Sequence, residues 1–219
     1  MQLEIWSDIA CPWCYIGKRR IETALGRFEH ADAVAVRWRS FELDPNAPTE
    51  RYGELAAHLA RKYGLADEQA RAALRALTET AAAEGLSFRL DQARSGNTFD
   101  GHRIVHLAAE HGLQDAMKER LMRAYFSEGR LIADADALFA LGSEVGLPET
   151  EIQDLLQGQR FAAEVHADEQ AAAQLGIAAV PTFIVDRKVG VTGAQPPELL
   201  LTMLARGWSN RVAAPAAQD

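Results

Sequence analysis

The chain has 219 residues, more than the roughly 150 of a typical domain but short of two full-sized ones, so one domain with a large insertion is the economical expectation. Hydrophobic residues make up 48% and charged residues 25% of it, which excludes disordered, collagen-like and disulfide-scaffold classes. With 23 basic and 31 acidic side chains the net charge is -8, so neither nucleic acid nor an anionic membrane surface is an expected partner.

From Gln2 to Ser7, Leu3 and Ile5 alternate with polar neighbours and predict a short strand. Asp8-Ile9-Ala10 leads into Cys11-Pro12-Trp13-Cys14, where a proline at the first helical position is favourable because its missing N–H is not needed there. Ile21, Ala24, Leu25 and Phe28 continue that helix as one apolar stripe. Val34, Val36 and Trp38 alternate as a second strand, parallel to the first across the helix. Asp44 to Pro48 is turn-rich, and from there to about Leu175 the periodicity is helical. Leu55 and Leu59 mark one helix, Asp67 to Glu84 a second, Ile104 and Leu107 a third, Leu113 to Ala124 a fourth. Asp134 is a predicted N-cap and Gly146 a stop; Pro148 opens a short helix, and Phe161 to Leu175 line a last one closed by Gly176. Val180 to Val185 then reads as a β-branched strand and Lys188 to Thr192 as its hairpin partner, joined by Asp186-Arg187 without the usual glycine. Gln195-Pro196-Pro197 introduces a closing helix with Leu199, Leu200, Met203 and Leu204, and the tail beyond Trp208 is expected to fray.

The fold class is therefore α/β, with a sheet domain split by an all-helical insertion. The expected division is 1–45 for the first half (βαβ), 46–175 for the inserted helical domain, 176–208 for the second half (ββα) and 209–219 for a frayed tail. The start Met-Gln-Leu-Glu-Ile-Trp-Ser-Asp has no basic stretch followed by a long apolar one, and no segment approaches the roughly 20 apolar residues of a membrane span. A cytoplasmic location is the expectation.

Only two cysteines occur, Cys11 and Cys14. Thiols at i and i+3 at a helix start can close a disulfide, and the first meets outward-pointing N–H groups at the positive end of the helix dipole. That environment favours thiolate by up to about 2 kcal/mol, or about 1.5 pK units. Two inert core cysteines are a weaker alternative, because a helix start behind a proline is a poor place to bury sulfur. Half a metal site is also weaker: no second pair exists, and His102 and His106 lie far from Cys14 in sequence. These histidines are expected as polar helix positions where the insertion meets the sheet. A C-x-x-C after the first strand of a βαβ unit is a thioredoxin-like placement.

The start Trp6-Ser7-Asp8-Ile9-Ala10-Cys11-Pro12-Trp13-Cys14-Tyr15-Ile16-Gly17 resembles the DsbA-like branch of the thioredoxin superfamily, most closely its FrnE-like members. The likeness extends through Asn97 to Arg103, Gly176 to Val185 and Thr192 to Pro197. It implies a thioredoxin-like fold and a protein disulfide oxidoreductase or isomerase, with Cys11 and Cys14 catalytic and Pro12 and Trp13 completing the motif. It further implies a cis peptide at Val180-Pro181 facing the thiols, with Val180, Pro181 and Thr182 binding an extended substrate. Asp8, Asn97 and Gln195 are weaker cleft candidates; an Asx turn at Asp8 and a helix cap at Asn97 are the competing roles. Lys18, Arg19 and Arg20 are expected on a solvated helix face. No bound cofactor or metal is expected, and glutathione is a candidate redox partner beside protein and small-molecule thiols or disulfides. The chain would act as a monomer or homodimer. Relatives resembling 2-hydroxychromene-2-carboxylate isomerases and kappa-class glutathione transferases share the fold but commonly carry serine in place of the first thiol. A glutathione-dependent isomerase or transferase is thus the alternative, and a non-catalytic chaperone or binding module a third.

Overall fold

The β-branched and aromatic run at the N-terminus forms β1 (Gln2–Ser7), and Cys11-Pro12 starts α1 (Pro12–Gly26), which leads through a single 3-10 turn into β2 (Ala35–Ser40). This βαβ unit places β1 and β2 parallel, with Leu3 opposite Val36 and Ile5 opposite Trp38. Among the described residues seven helices follow before the next strand: α2 (Leu55–Tyr63), α3 (Asp67–Ala83), α4 (Phe99–Glu110), α5 (Gln114–Glu128), α6 (Ala135–Val145), α7 (Glu149–Gln157) and α8 (Ala162–Gln174). The chain then returns to the sheet as β3 (Thr182–Val185) and β4 (Val189–Thr192) and closes with α9 (Pro197–Val212). The order is β2-β1-β3-β4, with β3 antiparallel to β1. The computed structural model describes residues 1–50 and 53–212.

Caps read from the sequence take their expected form: the Asp134 carboxylate accepts the Ala137 N–H at 2.8 Å, and Gly146 ends α6 at φ 96°. Asp186 and Arg187 both adopt positive φ, 45° and 53°, the geometry that two-residue hairpin turns favour and that glycine normally supplies. Here side chains hold it instead. Asp186 accepts the Gln2 N–H at 2.8 Å, and the Arg187 guanidinium reaches Glu4 at 3.0 Å.

Several expectations are corrected. The second-half strand begins at Thr182 rather than Val180, because Pro181 has no N–H to give to a ladder. β4 begins at Val189 rather than Lys188. Helix α9 continues past Trp208 to Val212; residues 213–219 of the expected frayed tail lie outside the described residues. Glu4, a polar position of β1, does not face water, being buried and paired to Arg39 and Arg187, while Gln2 is exposed. Nor do Lys18, Arg19 and Arg20 form a solvated face. Lys18 is buried against Glu22, Asp115 and Glu119, Arg19 pairs with Glu22 and Glu119, and Arg20 bonds Glu84 at 2.6 Å. They tie α1 to α3 and α5.

One continuous apolar core joins sheet residues such as Leu3, Ile5 and Phe183 to Leu107, Leu121 and Leu138 of the intervening helices. Buried polar groups are concentrated where α4, α5 and α8 meet β1 and β2. Asp168 is the hub there: its carboxylate takes Arg39 at 2.7 Å and the Ser40 N–H at 2.9 Å, and its carbonyl takes the Trp6 indole at 3.0 Å. Among the described residues no helix is long and apolar enough to cross a membrane.

Candidate active site

Cys11 is the N-cap of α1, with extended backbone (φ -90°, ψ 113°) and Pro12 immediately inside the helix. Its carbonyl accepts the Cys14 N–H at 3.0 Å, the first bond of the helix. Both cysteines are free thiols. Cys11 is 4% exposed and opens onto a cavity, whereas Cys14, one turn into α1, is 0% exposed. Burial, then the neighbouring Cys11 sulfur, holds the Cys14 thiol well above its ordinary range, while Ser7 and Lys118 act in the opposite direction.

Val180-Pro181 is a cis peptide, and the Val180 carbonyl oxygen accepts from Cys11 Sγ at 3.8 Å. The close approach of this segment to α1 depends on Gly17. A Cβ there would lie 2.8 Å from Pro181 Cγ and 3.3 Å from Phe183 Cζ. Thr182 is buried, and its hydroxyl is engaged with the Ala179 carbonyl at 2.7 Å and with Thr192 at 3.0 Å, so it braces the strand start. Trp13, 46% exposed, stands between the cysteines on the outer side.

The cavity beside Cys11 has a volume of about 500 Å³. Trp13 and Val180 bound its mouth, Leu55, Leu59 and Leu77 give it an apolar wall, and Asp8 supplies a carboxylate. Asp8 is buried: it accepts the Ala10 N–H at 3.3 Å and the Leu43 N–H at 2.8 Å, and lies 3.4 Å from His102 Nε2. It is thus both an Asx-type organiser of the approach to Cys11 and part of the cavity lining. Burial opposes its charge, but His102, the Leu43 N–H and Lys118 outweigh that and keep its carboxyl below the ordinary range.

Two weaker candidates fall elsewhere. Asn97 accepts the Phe99 N–H at 2.8 Å and receives no place in the cavity wall; it forms an Asx turn just before Thr98, the N-cap of α4, and tethers the Ala47 and Pro48 carbonyls. Gln195 turns back on its own strand, donating to the Thr192 carbonyl at 2.9 Å. His102 and His106 are at the meeting of helices and sheet as expected, but both are buried, His106 against Ser40 at 3.1 Å and Asp168 at 3.3 Å. Arg103 is buried too and donates to the Gly158 carbonyl at 2.7 Å and the Arg160 carbonyl at 2.8 Å, closing the end of α7.

Two further buried ionisable groups were not anticipated. Lys118 of α5 is fully buried and donates to the Ser7 carbonyl at 2.9 Å. Met122 and Tyr125, four and seven residues on and also buried, make an apolar row that Lys118 heads; that row was the available signal. Glu42 lies buried after β2, where burial first, then Glu169 and Asp8, push its carboxyl up to about 8. Nothing in its loop sequence marks it.

A helix-capping outer thiol, a shielded inner thiol and a facing X-Pro strand start are the arrangement of a thioredoxin-type redox site. Residues 2–205 match the model of the DSBA-like thioredoxin domain, and the chain belongs to that family. A structure described as a probable DsbA oxidoreductase from Streptomyces coelicolor superposes with a TM-score of 0.94 at 43% identity, over 100% of this chain and 94% of the other. The uncharacterised protein YwbO of Bacillus subtilis is 26% identical over 197 residues, which cover 84% of this chain and 86% of YwbO. The cytosolic disulfide reductase DsbM of Pseudomonas aeruginosa, also solved with glutathione, shares the fold at a TM-score of 0.67 and 22% identity, over 97% of this chain and 100% of DsbM.

Proposed function

We propose that the chain is a thiol-disulfide oxidoreductase that exchanges a Cys11-Cys14 disulfide with protein or small-molecule thiols. The observation that carries this is the unequal setting of the pair, with Cys11 at the cavity and Cys14 sealed one turn behind it. A substrate sulfur can reach only Cys11, which forms the mixed disulfide; Cys14 is then held within the same helical turn to displace the substrate. Val180, whose carbonyl faces Cys11 Sγ, together with Pro181 and Thr182 offers the edge along which an extended substrate would lie.

Glutathione is the small thiol we favour as redox partner, a reading supported by the DsbM relative solved with it. The cytosolic location of DsbM supports placing this chain in a thiol-reducing compartment. A glutathione-dependent isomerase or transferase would need only the first active-site position. The retained inner thiol favours redox exchange instead.

The test is trapping. Cys14→Ser should accumulate mixed disulfides with insulin-derived peptides and with glutathione, and Cys11→Ser should abolish insulin reduction. No trapped species with Cys11 intact would refute the reading.

A further inference from the structure

Lys118 is 0% exposed, and among the described residues it makes no ion pair. A buried ammonium without a carboxylate partner is costly, so something else must offset it or it must spend part of its time neutral. Its donor bond goes to the Ser7 carbonyl at 2.9 Å, and the Ser7 side chain in turn meets Cys14. The groups that face it are Cys11 and Cys14 on α1, Asp8 in the loop before α1, His102 on α4 and the Trp38 ring on β2, 5.8 Å from Nζ. Of these groups only the two sulfurs change covalently when the pair is oxidised.

We propose that Lys118 titrates with the redox state of the Cys11-Cys14 pair, taking up a proton when the disulfide opens and holding the cation that stabilises the thiolate. The inference rests on the exchange reaction proposed above. In that reaction a substrate dithiol gives two electrons and two protons to the protein. The Cys11-Cys14 bond breaks and a substrate disulfide forms. One proton goes to the Cys14 sulfur, the other to the Lys118 amine, and Cys11 remains as thiolate. On reoxidation both protons leave, because the ammonium then faces an uncharged disulfide. Burial lowers the Lys118 ammonium to about 8, with Cys14, Asp8 and Cys11 opposing the shift. That value leaves the group able to change protonation near neutral pH. Lys118 is thus a charge-setting residue acting through the sulfurs.

The chain has four lysines, at 18, 62, 118 and 188, so lysine labelled with carbon-13 at Cε gives a simple spectrum in which Lys118→Met identifies the signal. The intact protein is titrated in its reduced and oxidised forms. The expected result is a Lys118 midpoint at least about one pH unit lower in the oxidised form, a tenfold linkage. Equal midpoints overturn the proposal. Lys118→Met supplies a second readout, the equilibrium with a glutathione buffer between pH 6 and 9. Where wild-type Lys118 changes protonation, both protons of two glutathione thiols stay on the protein and its equilibrium constant is flat in pH, whereas the variant releases one of them and its constant for reduction should rise about tenfold per pH unit. An unchanged pH profile overturns the proposal, and the wild-type titration decides alone if this variant does not fold. An empty Cys14→Ser trap would overturn the exchange reaction and this inference together, whereas exchange with a redox-independent Lys118 overturns the inference alone.

Discussion

Cys11 Sγ donates to the carbonyl oxygen of Val180 at 3.8 Å, bringing together two groups 169 positions apart in the chain. The contact joins the halves of the sheet across all the intervening helices and, in the exchange reaction proposed above, marks where a substrate would enter.

Val180 lines the cavity onto which Cys11 opens, and a carboxylate on its side chain should oppose thiolate formation. Val180→Asp is expected to slow iodoacetamide alkylation of Cys11 at pH 7 by about tenfold or more, the effect of a like charge within a few ångströms. Val180→Asn, of similar shape, should change it less than about threefold. Equal rates for the two variants would contradict the electrostatic account.

The two glycines of α1 should respond with opposite sign. Gly17→Ala forces a methyl against Pro181 and Phe183, so we expect a loss of about 1–3 kcal/mol together with slower disulfide exchange as Pro181 is pushed away from Cys11. Gly26 has nothing within 4 Å of an added Cβ, and Gly26→Ala should gain up to about 1 kcal/mol from helix propensity alone. Urea melts of the two variants check both.

Asp168→Asn should cost about 2–3 kcal/mol at pH 7, since Arg39 and the Ser40 N–H lose a charged acceptor. Burial opposes the Asp168 charge, but His106, the Ser40 N–H and Arg39 bring its carboxyl below 3.8. A depressed carboxylate contributes its stability above its unfolded value and loses it as pH falls through the folded one. The difference between wild type and variant, measured by thermal melts, should therefore close below about pH 4.

Glu42 behaves in the opposite sense. Its carboxyl is raised from 4.5 to about 8 by burial, then by Glu169, so its contribution is present below pH 4.5 and is lost as pH rises to 8. Glu42→Gln should melt roughly 2–4 °C above wild type at pH 8, for a gain of the order of 1 kcal/mol, and the gap should vanish near pH 5. A constant gap would locate the effect in packing instead.

Local signals carried the fold a long way. Alternation in Leu3 and Ile5, the Pro12 helix start, the Asp134 cap and the Gly146 stop depend on neighbours in sequence, and each element they mark is found. The cysteine pair was legible for the same reason. What was not legible depends on groups far apart in the chain. Glu4 and Lys18 look solvent-facing until Arg39, Arg187 and Glu119 arrive from other elements to pair them. Lys118 has the composition of a surface residue on an amphipathic helix and comes beside the loop that leads to Cys11 only through its hydrogen bond to Ser7 at the end of β1. Asn97 and Gln195 err the other way: their motifs suggested a cleft, but nearby backbone groups take their side chains first.

With Cys11 only 4% exposed, the recess around it would act, in the proposed exchange, as a kinetic filter on what can react. A disulfide locked inside a folded domain cannot bring its sulfurs in line with Cys11 Sγ, whereas one in an unfolded strand or a small molecule can enter the recess. Selectivity for a client's conformation would then follow from steric access alone, without any contact that reads the client's sequence.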